Sequence, residues 1–108
     1  MRLLVLVTML ACGLASEAPA ETCIASWYGA ESGRRTASGE PFHPEGISCA
    51  HKTRPFGSAV TVTLLGSGRS IQCRINDRGP FVRGRCIDLS HGAARLLGMS
   101  GTARVSVE

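Results

Sequence analysis

The sequence predicts a small, mostly β fold of the barrel type. Its 108 residues are the length of one domain, and its apolar fraction of 44% is enough to form a folded core. Thirteen glycines indicate many turns. Several short segments alternate apolar and polar residues, which is typical of half-buried strands. No apolar run reaches the roughly 18 residues that a membrane-spanning helix needs, so a helical membrane protein is excluded.

Residues 24–75 predict three strands and one long loop. Residues 24–28 are β-prone, and residues 30–46 lack periodicity and predict a long exposed loop. Residues 47–53 fit a short helix or a strand equally well. Residues 59–65 and 71–75 both alternate apolar and polar side chains around a glycine-rich turn, which predicts a hairpin.

The rest of the chain, from residue 76 onwards, predicts another loop, two strands and one helix. Residues 76–84 are dense in turn-forming residues, and residues 85–89 form the next strand. Ser90 is a suitable N-cap for a helix that runs through residue 97, with Gly98 at its end. Alternation over residues 103–107 predicts the last strand. Function is expected in the two long polar loops.

The amino terminus is typical of an export signal. A positively charged start precedes the apolar residues 3–11, and Ala18-Pro19-Ala20 has the small-x-small pattern that signal peptidase cleaves after. We therefore predict a signal peptide over residues 1–20 and one domain over residues 21–108, in the periplasm or secreted. A first core strand is the structural alternative. Cleavage before Cys12, with acylation there and an outer-membrane anchor, is the alternative mode of export.

The cysteine count agrees with export. Loss of Cys12 leaves an even number of cysteines, which predicts two disulfides in an oxidising compartment. We expect the pairs Cys23–Cys49 and Cys73–Cys86, because the second pair would join the strands that flank the loop over residues 76–84.

A zinc site at His43, Cys49 and His51 is the competing interpretation of the cysteines. The sequence lacks a C-x-x-C pair and exported thiols oxidise, so no metal and no cofactor is expected. The formal net charge is +4 at pH 7. For an exported protein this charge favours a cell-wall polymer, lipopolysaccharide or an anionic membrane surface over nucleic acid as the partner.

A series of short blocks resembles one known family. In order, the blocks are ASWYG at 25–29, RTASGE at 35–40, AHKT at 50–53, PFG at 55–57, RINDRGPF at 74–81, GR at 84–85 and IDLS at 87–90. The series is similar to the rare lipoprotein A family, whose catalytic module is a double-psi β-barrel related to expansins and barwin. The resemblance implies six strands with one or two short helices.

The resemblance also implies an activity. Members are lytic transglycosylases that cleave the MurNAc–GlcNAc strands of peptidoglycan endolytically, preferring strands without stem peptides, and leave 1,6-anhydro products. In this reaction the 6-hydroxyl of the muramic sugar attacks its own anomeric carbon, so one carboxyl group suffices as acid and then base. The resemblance places Asp77, Glu40 and His51 at the active-site positions. A monomer is expected.

Other residues are candidates for binding the glycan. Trp27 and Tyr28 point to opposite faces of a strand, and we expect Tyr28 to be the one that stacks on a sugar ring. Arg78 and Arg83 are suited to bidentate hydrogen bonds with acetamido, lactyl or carboxylate groups, or to stabilising their loop. Asp88 is a further candidate for substrate binding, although its position favours a structural pair with an arginine such as Arg78 or Arg85.

Two other classes of function compete with the enzyme. One is a non-catalytic, expansin-like module that binds peptidoglycan or another polysaccharide. The other is a barwin-like or inhibitor-like effector, which only the cysteines favour.

Overall fold

A computed structural model describes residues 20–108. The predicted signal peptide, with Cys12, lies outside the described residues except for Ala20. Within residues 20–108, no helix is long and apolar enough to cross a membrane.

Six strands form one closed barrel. They are β1 (Glu21–Tyr28), β2 (Ser48–His51), β3 (Ala59–Leu64), β4 (Ser70–Asp77), β5 (Arg85–Ser90) and β6 (Ala103–Val107), with one helix, α1 (His91–Leu97), and a short 3-10 turn at Ala30–Ser32. The order around the barrel is β1-β5-β2-β4-β3-β6. The β1/β5 and β2/β4 pairs are parallel, and the other neighbours are antiparallel.

The predicted hairpin and helix are confirmed. Strands β3 and β4 pair antiparallel from Ala59 opposite Arg74 onwards. The Ser90 hydroxyl accepts a hydrogen bond from the Ala93 amide at 3.2 Å, and Gly98 ends α1 with a φ of +90°. The hydrophobic core consists of buried side chains, among them Val60, Val62, Ile71, Ile75, Ile87, Leu89, Leu97, Val105 and Val107.

Two predicted loops are shorter or less exposed than the sequence indicates. The ambiguous segment 47–53 contains strand β2, and β4 extends to Asp77, so the second loop begins only at residue 78. The first loop is not exposed throughout, because Thr36 and Phe42 are buried.

The predicted disulfide pairing is wrong. Cys23 pairs with Cys86 and joins β1 to β5, and Cys49 pairs with Cys73 and joins β2 to β4. Their Cα–Cα distances of 5.8 and 6.1 Å are typical of disulfides. The topology explains the error, since β5 separates β1 from β2, and β2 separates β4 from β5. Each disulfide therefore joins two parallel neighbours that are distant in sequence.

Candidate functional site

The barrel brings two predicted carboxyl groups together on its outer face. Ala50 on β2 lies opposite Asp88 on β5 at one side and opposite Asp77 on β4 at the other. A shift in register between Cys49 and Ala50 accompanies the Asp77 pairing. The small alanine side chain separates the two acidic residues. We call Tyr28, Asp77 and Asp88 the acidic site.

Asp77 is held by three donors. Its Oδ1 accepts hydrogen bonds from the amides of Ala37, at 2.8 Å, and of Arg78, at 2.9 Å. Among residues 20–108, its Oδ2 accepts a hydrogen bond only from the Tyr28 hydroxyl, at 3.3 Å. The two backbone amides fix the orientation of the carboxyl group, and Oδ2 retains capacity for a further hydrogen bond.

Tyr28 is a buried donor and not an exposed stacking platform. Its ring is 9% exposed and lies parallel to Phe42, with centroids 4.8 Å apart. Burial raises the pKa of Tyr28, and the charges of Asp77 and Asp88 raise it further, so the phenol keeps its proton.

Of the two adjacent aromatics, Trp27 is the exposed one, so the preference for Tyr28 as the stacking residue is wrong. Trp27 is 38% exposed. Its ring tilts against His91 at 4.5 Å, and its Nε1 donates to the Ser100 carbonyl at 3.2 Å.

Asp88 is partly buried, so its ionised form is less favourable than that of an ordinary surface carboxylate. Burial raises its pKa, and the charge of Asp77 raises it further. The Ser26 hydroxyl donates to Oδ1 at 3.0 Å and, with the charge of Arg85, partly opposes this rise. Arg85 acts on Asp88 through its charge, while the Arg78 guanidinium binds two backbone carbonyls, so the pair between Asp88 and an arginine stays a prediction.

Glu40 forms an ion pair at the rim of the same face. Both of its carboxylate oxygens accept hydrogen bonds from the Arg74 guanidinium at 2.8 Å, and Asn76 Nδ2 donates to Oε1 at 3.4 Å. The hydrogen bonds from Arg74 lower the pKa of Glu40 to about 2. Glu40 is therefore ionised at any physiological pH.

This ion pair holds a tight turn against the end of β4. Within the turn, the Thr36 amide donates to the Glu40 carbonyl and the Gly39 amide to the Thr36 carbonyl, both at 2.9 Å. Gly39 has a φ of +91°, a region that L side chains rarely adopt. The same turn presents the Ala37 amide to Asp77. Glu40 thus supports the orientation of Asp77 through the turn.

His51 hydrogen-bonds away from both carboxyl groups. It is buried, and its Nδ1 accepts the amides of Thr53 and Arg54 at 3.1 Å. Nε2 therefore carries the proton and donates to Glu21 Oε1 at 2.8 Å. The His51 carbonyl accepts from the Arg78 guanidinium at 3.2 Å. These contacts connect β2 to the start of the second loop.

The two candidate arginines differ. The Arg78 guanidinium donates to the carbonyls of His51 and Arg54 and lies 3.9 Å from the Phe56 ring centroid. It therefore stabilises the loop, which was the alternative role. Arg83 is exposed and makes no side-chain hydrogen bond or ion pair within residues 20–108.

The described residues offer no metal site. Within residues 20–108, no three His, Cys, Asp or Glu side chains are grouped to hold an ion. Cys49 is unsuitable as a ligand because it lies in a disulfide.

The sequence analysis missed four residues around the site. They are Ser26, which binds Asp88, Glu21, which binds His51, and Arg74 and Asn76, which bind Glu40. A signal for the last two was present. Arg74 and Asn76 alternate with the apolar Cys73 and Ile75, and this alternation places both side chains on the outer face of a strand.

The site is therefore a pair of acidic residues carried side by side on a closed six-stranded barrel. Comparison with known proteins identifies the family of this barrel. The family model described as lytic transglycolase matches residues 20–108. The chain belongs to this family of rare lipoprotein A-like double-psi β-barrels.

Two relatives illustrate the similarity. The "probable endolytic peptidoglycan transglycosylase RlpA" of Nostoc sp. is 58% identical over 90 residues, covering 79% of this chain and 24% of the relative. The "endolytic peptidoglycan transglycosylase RlpA" of Pseudomonas aeruginosa is 53% identical over 87 residues, covering 78% and 26%. The chain thus spans about a quarter of the length of these relatives.

Solved structures confirm the double-psi barrel. A Streptomyces papain inhibitor superimposes with a TM-score of 0.65 at 22% identity, covering 83% of this chain and 93% of the inhibitor. An expansin of Clavibacter michiganensis gives a TM-score of 0.64 at 18% identity, covering 83% and 50%. At these identities the likeness concerns the fold alone.

Proposed function

We propose that this chain is an endolytic lytic transglycosylase module that cleaves the MurNAc–GlcNAc strands of peptidoglycan to 1,6-anhydro products. Family membership and the activity for which relatives 53–58% identical are named support the reaction class. The observation that carries the proposal is the geometry of Asp77. Three donors orient its carboxyl group, and Oδ2, which accepts from one of them, has capacity for a further hydrogen bond to a substrate.

Asp77 is the group to which we assign the proton transfers. The protonated carboxyl gives its proton to the glycosidic oxygen as the bond from that oxygen to the anomeric carbon breaks. The carboxylate then takes the proton of the muramic 6-hydroxyl as that oxygen bonds to the same carbon. The negative charge shared by Asp77 and Asp88 stabilises the positive charge that develops on the sugar. Tyr28, which keeps its proton, holds Oδ2 in place.

Glu40 and His51 are assigned positioning roles. A carboxyl group with a pKa of about 2 is a poor proton donor at neutral pH, which argues against Glu40 as the acid. Its ion pair with Arg74 instead holds the turn that donates to Asp77. His51 supports the backbone around Arg78.

The location of the substrate fits an exported protein. Peptidoglycan lies outside the cytoplasm, and we propose that residues 1–20 are removed so that a monomer starting at Glu21 acts in the periplasm or is secreted. We also propose a preference for strands without stem peptides. Intact-mass measurement of the exported protein tests the processing; a diacylated species starting at Cys12 would replace it with a lipid anchor.

Digestion of purified sacculi tests the activity. We expect 1,6-anhydro muropeptides by mass spectrometry, and Asp77→Asn should lower their yield at least about a hundredfold, because general acid–base catalysis typically contributes that much or more. Glu45→Gln is the matched control. Its carboxylate is exposed and bound to His91 and Arg95, away from the acidic site. Sacculus binding without anhydro products in the parent protein would contradict the proposal and favour a binding module.

A further inference from the structure

Two apolar side chains are exposed on the loop between β4 and β5. Phe81 is 81% exposed and Val82 is 52% exposed, and we call these two residues the loop tip. The base of the loop, Gly79 and Pro80, is buried, so the tip extends into solvent from a buried base. Adjacent apolar side chains exposed in this way are unfavourable in water and indicate a surface that binds a partner.

A third exposed apolar side chain lies beside the loop. The Arg78 guanidinium, at the start of the loop, lies 3.9 Å from the ring centroid of Phe56, which is 42% exposed. The same guanidinium donates to the carbonyls of His51 and Arg54, at 3.2 and 2.8 Å. Arg78 therefore holds residues 51–57 against the loop, and the two segments form one exposed region.

This region is basic. Residues 51–57 and 78–85 contain five lysines and arginines and no aspartate or glutamate. Lys52 Nζ donates to the Arg85 carbonyl at 3.3 Å, so its charge lies beside the end of the loop. Arg83 directly follows the loop tip and is exposed.

The acidic side chains that border the region are engaged in contacts within the barrel. Glu21 binds His51 and, at 3.8 Å, Arg54. Asp77 accepts hydrogen bonds from two backbone amides and from Tyr28. The exposed lysine and arginine nearest the loop tip therefore give this surface a positive charge.

An apolar tip flanked by cations matches an anionic bilayer, in which acyl chains lie below negatively charged phosphates. A sugar fits less well, because phenylalanine and valine side chains offer no hydrogen bond to its hydroxyl groups. A second copy of the chain also fits less well. A two-fold interface uses the same surface on both subunits and would place this basic region against itself.

We propose that the loop tip inserts into an anionic phospholipid bilayer, with Lys52 and Arg83 against the lipid phosphates. This inference goes beyond the proposed function and does not depend on it. Because the loop begins directly after Asp77, insertion of the tip holds the acidic site close to the bilayer surface.

Flotation with lipid vesicles tests the proposal on the chain from Glu21 to Glu108, which contains the whole barrel. One set of vesicles contains equal parts of phosphatidylglycerol and phosphatidylcholine, and the other contains phosphatidylcholine alone. We expect a partition coefficient at least about tenfold higher for the anionic vesicles, and about 0.5 M salt should remove most of this difference. Equal binding to both sets, or binding to neither, would overturn the proposal.

Substitutions localise the binding. Phe81→Ser should lower partitioning into anionic vesicles at least about tenfold, because an aromatic side chain leaves the bilayer. Leu96→Ser is the matched control, since Leu96 is 54% exposed on α1, which lies at the far end of β5. Arg83→Gln should weaken binding more than Arg69→Gln, because Arg69 is exposed at the opposite end of β4. Equal losses in the tip variants and their controls would refute the assignment.

Phe81→Trp reports insertion directly. The chain has a single tryptophan, Trp27, which contacts His91 at the far end of β5. Anionic vesicles should shift the emission of Phe81→Trp to shorter wavelength and leave that of the parent unchanged. An unshifted emission in the vesicle-bound protein would show that the tip does not insert.

The same variants distinguish two other partners. If Phe81→Ser lowers binding to lipid-free sacculi and leaves vesicle binding unchanged, the tip contacts glycan and the proposal is wrong. If the parent sediments as a dimer, Phe81→Ser sediments as a monomer and neither binds vesicles, the tip binds a second copy and the proposal is also wrong.

Discussion

The Glu40–Arg74 pair and the acidic site contain the same functional group in opposite surroundings. Glu40 lies at the exposed rim, where hydrogen bonds from a guanidinium lower its pKa to about 2. Asp88 is half-buried beside Asp77, and its pKa is raised both by burial and by the negative charge of Asp77. The same chemical group is therefore a stable anion at the rim, and at Asp88 it is a carboxyl whose ionised form is disfavoured by its surroundings. Carboxyl groups in this chain cannot be assigned roles from residue type alone.

The largest expected effect on stability comes from replacing His51. The side chain of His51 contacts neither the Glu40–Arg74 pair nor the acidic site. His51→Asn shortens the side chain and leaves the amides of Thr53 and Arg54 and the Glu21 carboxylate without their partner. We expect the free energy of unfolding to fall by about 2 kcal/mol. Thermal unfolding should show a decrease of roughly 10 °C in Tm.

His43→Asn serves as the control for this substitution, since His43 is exposed, and its Tm should equal that of the parent. The residual activity of His51→Asn should keep the pH dependence of the parent, as expected for a positioning residue. An altered pH dependence with an unchanged Tm would place His51 in the proton transfer.

The next largest expected effect is an increase in stability, and it tests the surroundings of Asp88 in the acidic site. A raised pKa means that the folded state holds its proton more tightly than the unfolded chain, so Asp88 lowers stability as the pH rises through its folded pKa. Asp88→Asn keeps an acceptor for Ser26 and removes this penalty. At pH 7 we expect the Tm to increase by a few degrees, corresponding to less than about 1 kcal/mol.

The gain from Asp88→Asn should vanish below about pH 3.9, where aspartate is protonated in both states. Ser26→Ala, which removes the donor and leaves the charge, should lower the Tm instead. A lower Tm for Asp88→Asn at pH 7 would show that its charge is stabilising and would remove the contrast with Glu40.

The smallest expected effect on stability comes from replacing Glu40, at the exposed rim of the barrel face. Glu40→Gln removes an exposed ion pair, so its effect on the Tm at pH 7 should be small. Because the pKa of Glu40 is lowered, its contribution is present above about pH 4.3 and is lost as the pH falls towards 2. The difference in Tm between Glu40→Gln and the parent should therefore shrink over that interval. A constant difference from pH 7 to pH 2 would contradict the lowered pKa.

Local patterns predicted the elements of this fold better than their arrangement. Alternation identified β3 and β4, and Ser90 and Gly98 marked the ends of α1, because these features depend on neighbouring residues. The disulfides and the pairing of Ala50 with both acidic residues depend on parallel strands that are distant in sequence. No local pattern shows which distant strands become neighbours.

For the candidate site, the sequence likewise predicted individual residues better than the contacts between them. The resemblance identified Asp77, Glu40 and His51, but their partners decide their roles. The Arg74 pair converts Glu40 into a fixed anion, and the hydrogen bond from His51 to Glu21 directs the imidazole away from the acidic site. Tyr28 was expected to be exposed because the sequence does not show that Phe42, from the first loop, covers its ring.

The pH profile of anhydro-muropeptide release by the parent, Glu40→Gln and Asp88→Asn tests the central claim most directly. Since burial raises the pKa of Asp88, Asp88→Asn should shift a limb of the profile, because the ionisation of Asp88 no longer contributes to it. Glu40→Gln should lower the rate and leave both limbs in place. A limb that moves in Glu40→Gln and stays fixed in Asp88→Asn would contradict the account and return the proton transfer to Glu40.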